Sequence, residues 1–224
     1  MRTLTGWRMM LGGAVALMLG LLGVTTQGPT AAPIAANAEY RLVPVARTQP
    51  DTTRWHVERR VMHDAGGTWG LQVMVVTRAG RTSWDSVRFD PVTLALVWER
   101  SFGPPATVIT VAGSRLEGRL GTTEGPRPFA AEASGPVYSS TMDDFVIQRL
   151  PLAEGSPRVL AFWDGSRLER DTVRVRESGA KGWVVDFAEP YAVETLWIDR
   201  ASRGILRHTY RWRRDGTQSE VSED

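Results

Sequence analysis

Residues Glu194–Gly216 read ETLWIDRASRGILRHTYRWRRDG. An apolar run ends at Asp199, three turn-forming residues follow, and an alternating strand rich in Leu, Trp and Arg returns. An aspartate at the end of a strand can cap the turn after it, so the stretch predicts an antiparallel hairpin. In the returning strand, period-two alternation puts His208, Tyr210 and Trp212 on one face and Arg207, Arg211 and Arg213 on the other. DSVRFDPVTLALVWER (Asp85–Arg100) follows the same plan around Asp90, 109 positions before Asp199. Two origins fit, an internal duplication or two uses of one good hairpin, and the little else that aligns between the halves favours the second.

The same style extends outward. RWHVERRVM sets Trp55, Val57 and Val61 against His56, Glu58 and Arg60, and TWGLQVMVV sets Trp69, Leu71, Val73 and Val75 against Gln72 and Met74. TVITV, TVRVRE and WVVDF continue in β-branched and aromatic residues. Turn signals separate these runs, among them the dipeptides Asp164-Gly165 and Asp215-Gly216, whose glycines accept positive φ. The fold class predicted is mainly β: a strongly curved antiparallel meander, half-barrel or barrel-like. One short α-helix interrupts it. SSTMDDFVIQRLP (Ser139–Pro151) pairs Thr141 with Asp144 as a capping signature, spaces Met142, Phe145, Val146 and Leu150 helically, and stops at Pro151. The spacing predicts that this helix lies against the sheet.

Residues 1–38 have the form of an export signal. MRTLTGWR is basic, Met9–Val24 is free of charge, and Ala36-Asn37-Ala38 offers a small-x-small cleavage site. Left uncleaved, the 16 apolar residues would be the chain's sole membrane attachment, an anchor in the inner membrane, though shorter than the roughly 20 that span a bilayer comfortably. The expected address is the periplasm or the exterior, with residues 39–224 as a single β-rich domain. Both excess positive charges fall in residues 1–38, and the remainder carries 25 basic and 25 acidic residues, which gives no reason to expect a nucleic-acid partner. The chain has no cysteine, which removes disulfides, thiol nucleophiles and zinc–thiolate sites.

Nothing in the spacing predicts catalysis. The three histidines, His56, His63 and His208, form no H-x-H or H-E-x-x-H pattern, and neither G-x-S-x-G nor a phosphate-binding glycine loop occurs. Asp143 and Asp144 are adjacent, and neighbours on a helix point about 100° apart, so they read as a helix start rather than an acid–base pair. The expectation is therefore a non-enzymatic protein with no cofactor and no metal. Eight tryptophans lie beyond residue 38, nearly one per hairpin. In a curved sheet they can fill the core or line an apolar cavity, as in small barrels that hold one ligand. The ligand-lining candidates are Trp69, Trp84, Trp98, Trp163, Trp183, Trp197, Tyr210 and Trp212. Arg207, Arg211 and Arg213 are candidates for contacting a lipid head group or an envelope protein partner, or else a solvated face paired with Glu169, Asp171 and Glu177.

TLWIDRASRGILRHTY, preceded by RVRESGAKGWVVDF, resembles the closing hairpins of a domain-of-unknown-function family of exported bacterial β-proteins. VRFDPVTLALVWER and FVIQRLPLAEG fall where that family would have them. The hairpin also resembles that of the LolA/LolB-type lipoprotein-localisation carriers, in which a curved half-barrel holds acyl chains. Those carriers cover the cavity with several helices, whereas this chain has one. The resemblance implies a half-barrel and a lipid-like or other apolar ligand, and it transfers no catalytic residue.

Overall fold

The computed structural model describes residues 36–44, 53–78, 80–101, 106–155 and 157–223, with 36–44 and 222–223 as backbone only. Of the export signal expected over 1–38, residues 1–35 lie outside the described residues. No described helix is long and apolar enough to cross a membrane.

The first half runs β1 (Ala36–Pro44), β2 (Arg54–Asp64), β3 (Gly67–Arg78), β4 (Arg81–Phe89), β5 (Leu96–Ser101), β6 (Val108–Ala112), β7 (Arg115–Leu120) and β8 (Arg127–Glu132). A short β9 (Val137–Ser139), a 3-10 turn (Ser140–Met142) and the helix α1 (Asp143–Arg149) follow. The second half runs β10 (Arg158–Trp163), β11 (Leu168–Ser178), β12 (Gly182–Ala188), β13 (Ala192–Asp199), β14 (Ile205–Trp212) and β15 (Gln218–Glu223). All fifteen strands form one hydrogen-bonded ladder in the order β8-β7-β6-β5-β4-β3-β2-β1-β15-β14-β13-β12-β11-β10-β9. Every pairing is antiparallel except β9 on β10. The ladder is curved and does not close into a barrel. The predicted meander with one short helix is the observed architecture.

β1 is the seam of this ladder. It pairs with β2 through residues 36–41 and with β15 through residues 40–44.

On either side of the seam the two halves repeat one another in local detail. Asp90 Oδ1 accepts from the backbone N–H groups of Val92 and Thr93 and from the Thr93 hydroxyl. Asp199 Oδ1 accepts from the backbone N–H groups of Ala201 and Ser202 and from the Ser202 hydroxyl. Four residues after each aspartate, Leu94 and Arg203 both have φ of 62°, the left-handed conformation that lets the chain re-enter the ladder. The register then slips at Arg88/Phe89 in one hairpin and at Trp197/Ile198 in the other. In ladder order, the meander β6 to β2 and the meander β15 to β11 follow one another head to tail. The detailed likeness lies in the β4–β5 and β13–β14 hairpins, each set within an antiparallel meander.

The helix is enclosed rather than laid on a surface. Phe145, Val146 and Ile147 are consecutive and all buried, which a one-sided amphipathic helix would not show. They pack in a core with Val87, Phe89, Val185, Phe187, Leu196 and Ile198 from the inner faces of both halves. The edges of the ladder approach here, with Phe129 of β8 against Trp163 of β10 at 5.0 Å between ring centroids. The predicted cap is displaced. Ser139 accepts from Thr141 N to start the 3-10 turn, and Thr141 does not cap α1. At the other end, Arg203 donates from Nε to Gln148 O (2.7 Å) and from Nη2 to Leu150 O (2.5 Å), satisfying carbonyls that a helix C-terminus leaves open.

Candidate functional site

A cavity of about 630 Å³ lies under the seam, bounded by β2 and β3 on one side, β13, β14 and β15 on the other, and the start of α1. Strand alternation decides what it presents. From β2 come Trp55, Val57 and Arg59, and from β14 come His208, Tyr210 and Trp212. β3 turns Gly70, Gln72, Met74 and Val76 inward, so its more polar face is the buried one and Gln72 is fully enclosed. That glutamine is part of a tether. Arg59 Nε donates to Gln72 Oε1, Gln72 Nε2 donates to Thr141 O at 2.6 Å, and Arg59 Nη2 reaches Asp144 Oδ1 at 3.2 Å. The pairing fixes the first turn of α1 against β2 and β3.

With α1 so placed, Asp144 faces Arg59 and Asp143 faces the second half of the sheet. A carboxylate oxygen of Asp143, one of Glu189 and one of Glu194 all lie within 4.8 Å of one another. Glu194 comes from β13, and Glu189 from the turn before it, which is closed by Glu189 N donating to Ala192 O at 3.0 Å. Arg213 holds this turn from behind, its backbone N–H donating to Tyr191 O (2.8 Å) and its Nε to Glu189 O (2.9 Å). His208 Nε2 lies 2.7 Å from Glu194 Oε2. The Tyr191 hydroxyl donates to Glu189 Oε1 at 3.3 Å, while Glu189 Oε2 is buried without a hydrogen-bond partner.

Burial dominates the electrostatics. It pushes the Asp143 and Glu194 carboxyls well above their usual range, and the neighbouring acids push the same way. The same cause takes Glu189 up to about 7, with Asp171 the next contributor. Burial lowers His208 as it raises Glu194, so charge is disfavoured on both members of the His208–Glu194 pair. A second buried polar region stands apart from the cavity lining: Glu99, pushed up to about 8 by burial, and Asp171, at about 7 for the same reason.

Of the candidate ring residues, Tyr210 and Trp212 line the cavity. They stack at 5.8 Å between centroids, in a row that continues to His208 on one side and Tyr191 on the other. Trp163 is fully buried in the core, and Trp183 belongs to the same core under the guanidinium groups of Arg200 and Arg203. Trp69 donates from Nε1 to Asp64 and carries Arg88 on its face, Trp84 is 42 % exposed, and Trp98 and Trp197 are half-buried outside the cavity lining. Trp55, which the sequence did not single out, lines the cavity.

The arginine stripe faces outward. Arg207 sits at the cavity mouth in an exposed 2.9 Å ion pair with Glu220, and Arg211 is exposed in a separate groove with Arg176 and Asp186. The expected acidic partners Glu169 and Asp171 are buried on the inner face of β11, where they cannot meet that stripe. The convergent carboxylates escape a reading by spacing because they come from a helix, a turn and a strand. Their one local signal is Glu194, which interrupts the inward apolar row Ala192, Leu196, Ile198.

No family model, curated protein or solved structure matches the chain.

Proposed function

We propose that this protein is a non-enzymatic binding module whose cavity takes an amphipathic, lipid-like molecule. One observation carries the reading, the two-sided lining of the 630 Å³ space. Trp55, Val57, Met74, Val76 and Ile205 offer an apolar wall, and Asp143, Glu189, Glu194 and His208 offer a polar floor. A ligand with an apolar body and a polar head matches both surfaces, and the volume is that of a small-molecule site. The likeness to half-barrel carriers supports the apolar body, and the N-terminal signal pattern supports an address in the cell envelope.

Native mass spectrometry of the full chain, incubated separately with dodecanoate, dodecylamine and lysophosphatidylcholine, tests the reading. A discrete one-to-one adduct with at least one probe is expected, and Met74→Trp, which fills the apolar wall, should remove it without unfolding the protein. Trp212→Ala should lower occupancy more than stability. Equal loss of both would make Trp212 a core residue, and a clean unliganded mass with every probe overturns the proposal.

A further inference from the structure

We infer that Asp143, Glu189 and Glu194 form a binding site for a divalent cation of the calcium class. The inference goes beyond the amphipathic-ligand reading and does not require it. The start of α1, the β12–β13 turn and the strand after that turn deliver one carboxylate oxygen each to a common point, all within 4.8 Å of one another. Calcium binds oxygen at about 2.3–2.6 Å in a flexible shell, so two donors on opposite sides of the ion stand about 4.6–5.2 Å apart. The observed spread fits inside that shell. Magnesium, at about 2.0–2.1 Å, demands a strict octahedron, whereas the flexible calcium shell tolerates donors brought in by a helix, a turn and a strand.

A group of acids alone would not indicate an ion. The second observation is Glu189 Oε2, buried without a hydrogen-bond partner in a side chain only 4 % exposed that lines the cavity. A buried, unpaired carboxylate oxygen is costly, and a coordinated cation satisfies it. Charge points the same way. Among the described residues Arg59 is committed to Asp144, no arginine or lysine pairs with Asp143, Glu189 or Glu194, and His208 supplies a single contact to Glu194. The donor set is all oxygen, which selects a hard cation over zinc or copper. The cavity leaves room for water to complete the shell.

Terbium provides the test, because Trp55, Tyr191, Tyr210 and Trp212 line the same cavity and would sensitise its emission. With the full chain excited at the tryptophan band, saturable one-to-one Tb³⁺ emission is expected, displaced by Ca²⁺. Glu189→Gln should weaken Tb³⁺ binding at least tenfold with an unchanged melting curve, and the surface control Glu117→Gln should leave it unaltered. Manganese broadening of the Tyr191 and Tyr210 ring signals in the unmodified protein decides the matter if Glu189→Gln fails to fold. Absent saturable emission, absent broadening, or binding untouched by Glu189→Gln overturns the inference.

Discussion

His208 Nε2 and Glu194 Oε2 meet at 2.7 Å inside the sheet, with 8 % of the histidine and 1 % of the glutamate exposed. They sit on adjacent strands, and β13–β14 pairing sets Glu194 opposite Tyr210 and Leu196 opposite His208, so the contact runs diagonally. Truncating the imidazole leaves a buried carboxyl without its closest partner. His208→Ala should therefore destabilise the fold by about 1–3 kcal/mol, the usual cost of orphaning a buried polar group. His208→Gln, which keeps a hydrogen-bonding head, should lose less. Urea unfolding of the three proteins measures the order, and equal stability of all three would show that the pair contributes nothing.

Arg203 should prove the most sensitive residue of its hairpin. Its guanidinium bonds two carbonyls at the end of α1 and covers the Trp183 ring at 4.6 Å. Lysine keeps the charge but not the fork, so Arg203→Lys and Arg203→Ala should both lose about 2–4 kcal/mol, given charged hydrogen bonds of about 1.5–3 kcal/mol each and incomplete additivity. Arg203→Gly should recover part of that loss because glycine accepts the 62° φ without strain. Denaturant midpoints decide it, and full retention of stability in Arg203→Lys would refute the forked-cap account.

Gly70 marks a contact of another kind. A Cβ there would stand 2.2 Å from two ring carbons of Phe89, its partner across β3–β4. Since Phe89 is fully buried, the ring has little room to yield. Gly70→Ala should cost about 1–3 kcal/mol or more through overpacking. Phe89→Leu should be less damaging in the Gly70→Ala background than alone, and a double-mutant cycle on melting temperatures would expose additivity if the two positions do not touch.

How far the sequence discloses this protein depends on whether information is local. Asp90 and Asp199, and the glycines of Asp164-Gly165 and Asp215-Gly216, announced their hairpins because a turn is written in consecutive residues. Strand alternation was equally legible, but its inner side was not. Hydrophobicity put Trp69, Leu71, Val73 and Val75 opposite Gln72, and the fold buried the glutamine because the start of α1 needed a polar tether there. Spacing also separated Asp143 from Asp144 correctly. It could not show Asp143 meeting Glu189 and Glu194, since that convergence depends on the ladder passing from β2 through β1 to β15 and β14. Tryptophan count likewise identified an aromatic interior without distinguishing the core ring of Trp163 from the cavity ring of Trp212.

Glu99 gives the fold a stability that declines with pH. Buried on the inner face of β5, its carboxyl is pushed from an ordinary value near 4.5 up to about 8, by burial first and by the Asp85 and Asp164 charges in the same direction. The folded state therefore holds a proton that the unfolded chain has already released above pH 4.5. In linkage terms the native state binds more protons than the unfolded state across this window, so unfolding free energy falls as pH rises. The contribution is complete below about pH 4.5 and is lost as pH passes through about 8. Asp171, raised to about 7, acts with the same sign in an overlapping range. Glu99→Gln removes the ionisable group while keeping its shape, so its stability should fall less steeply than that of the unmodified protein between about pH 5 and 8. The difference should be of order a few kcal/mol, since each tenfold change in proton affinity is worth about 1.4 kcal/mol. Urea unfolding at half-unit pH steps measures both slopes, and parallel curves would mean that Glu99 ionises as freely in the folded protein as in the unfolded chain.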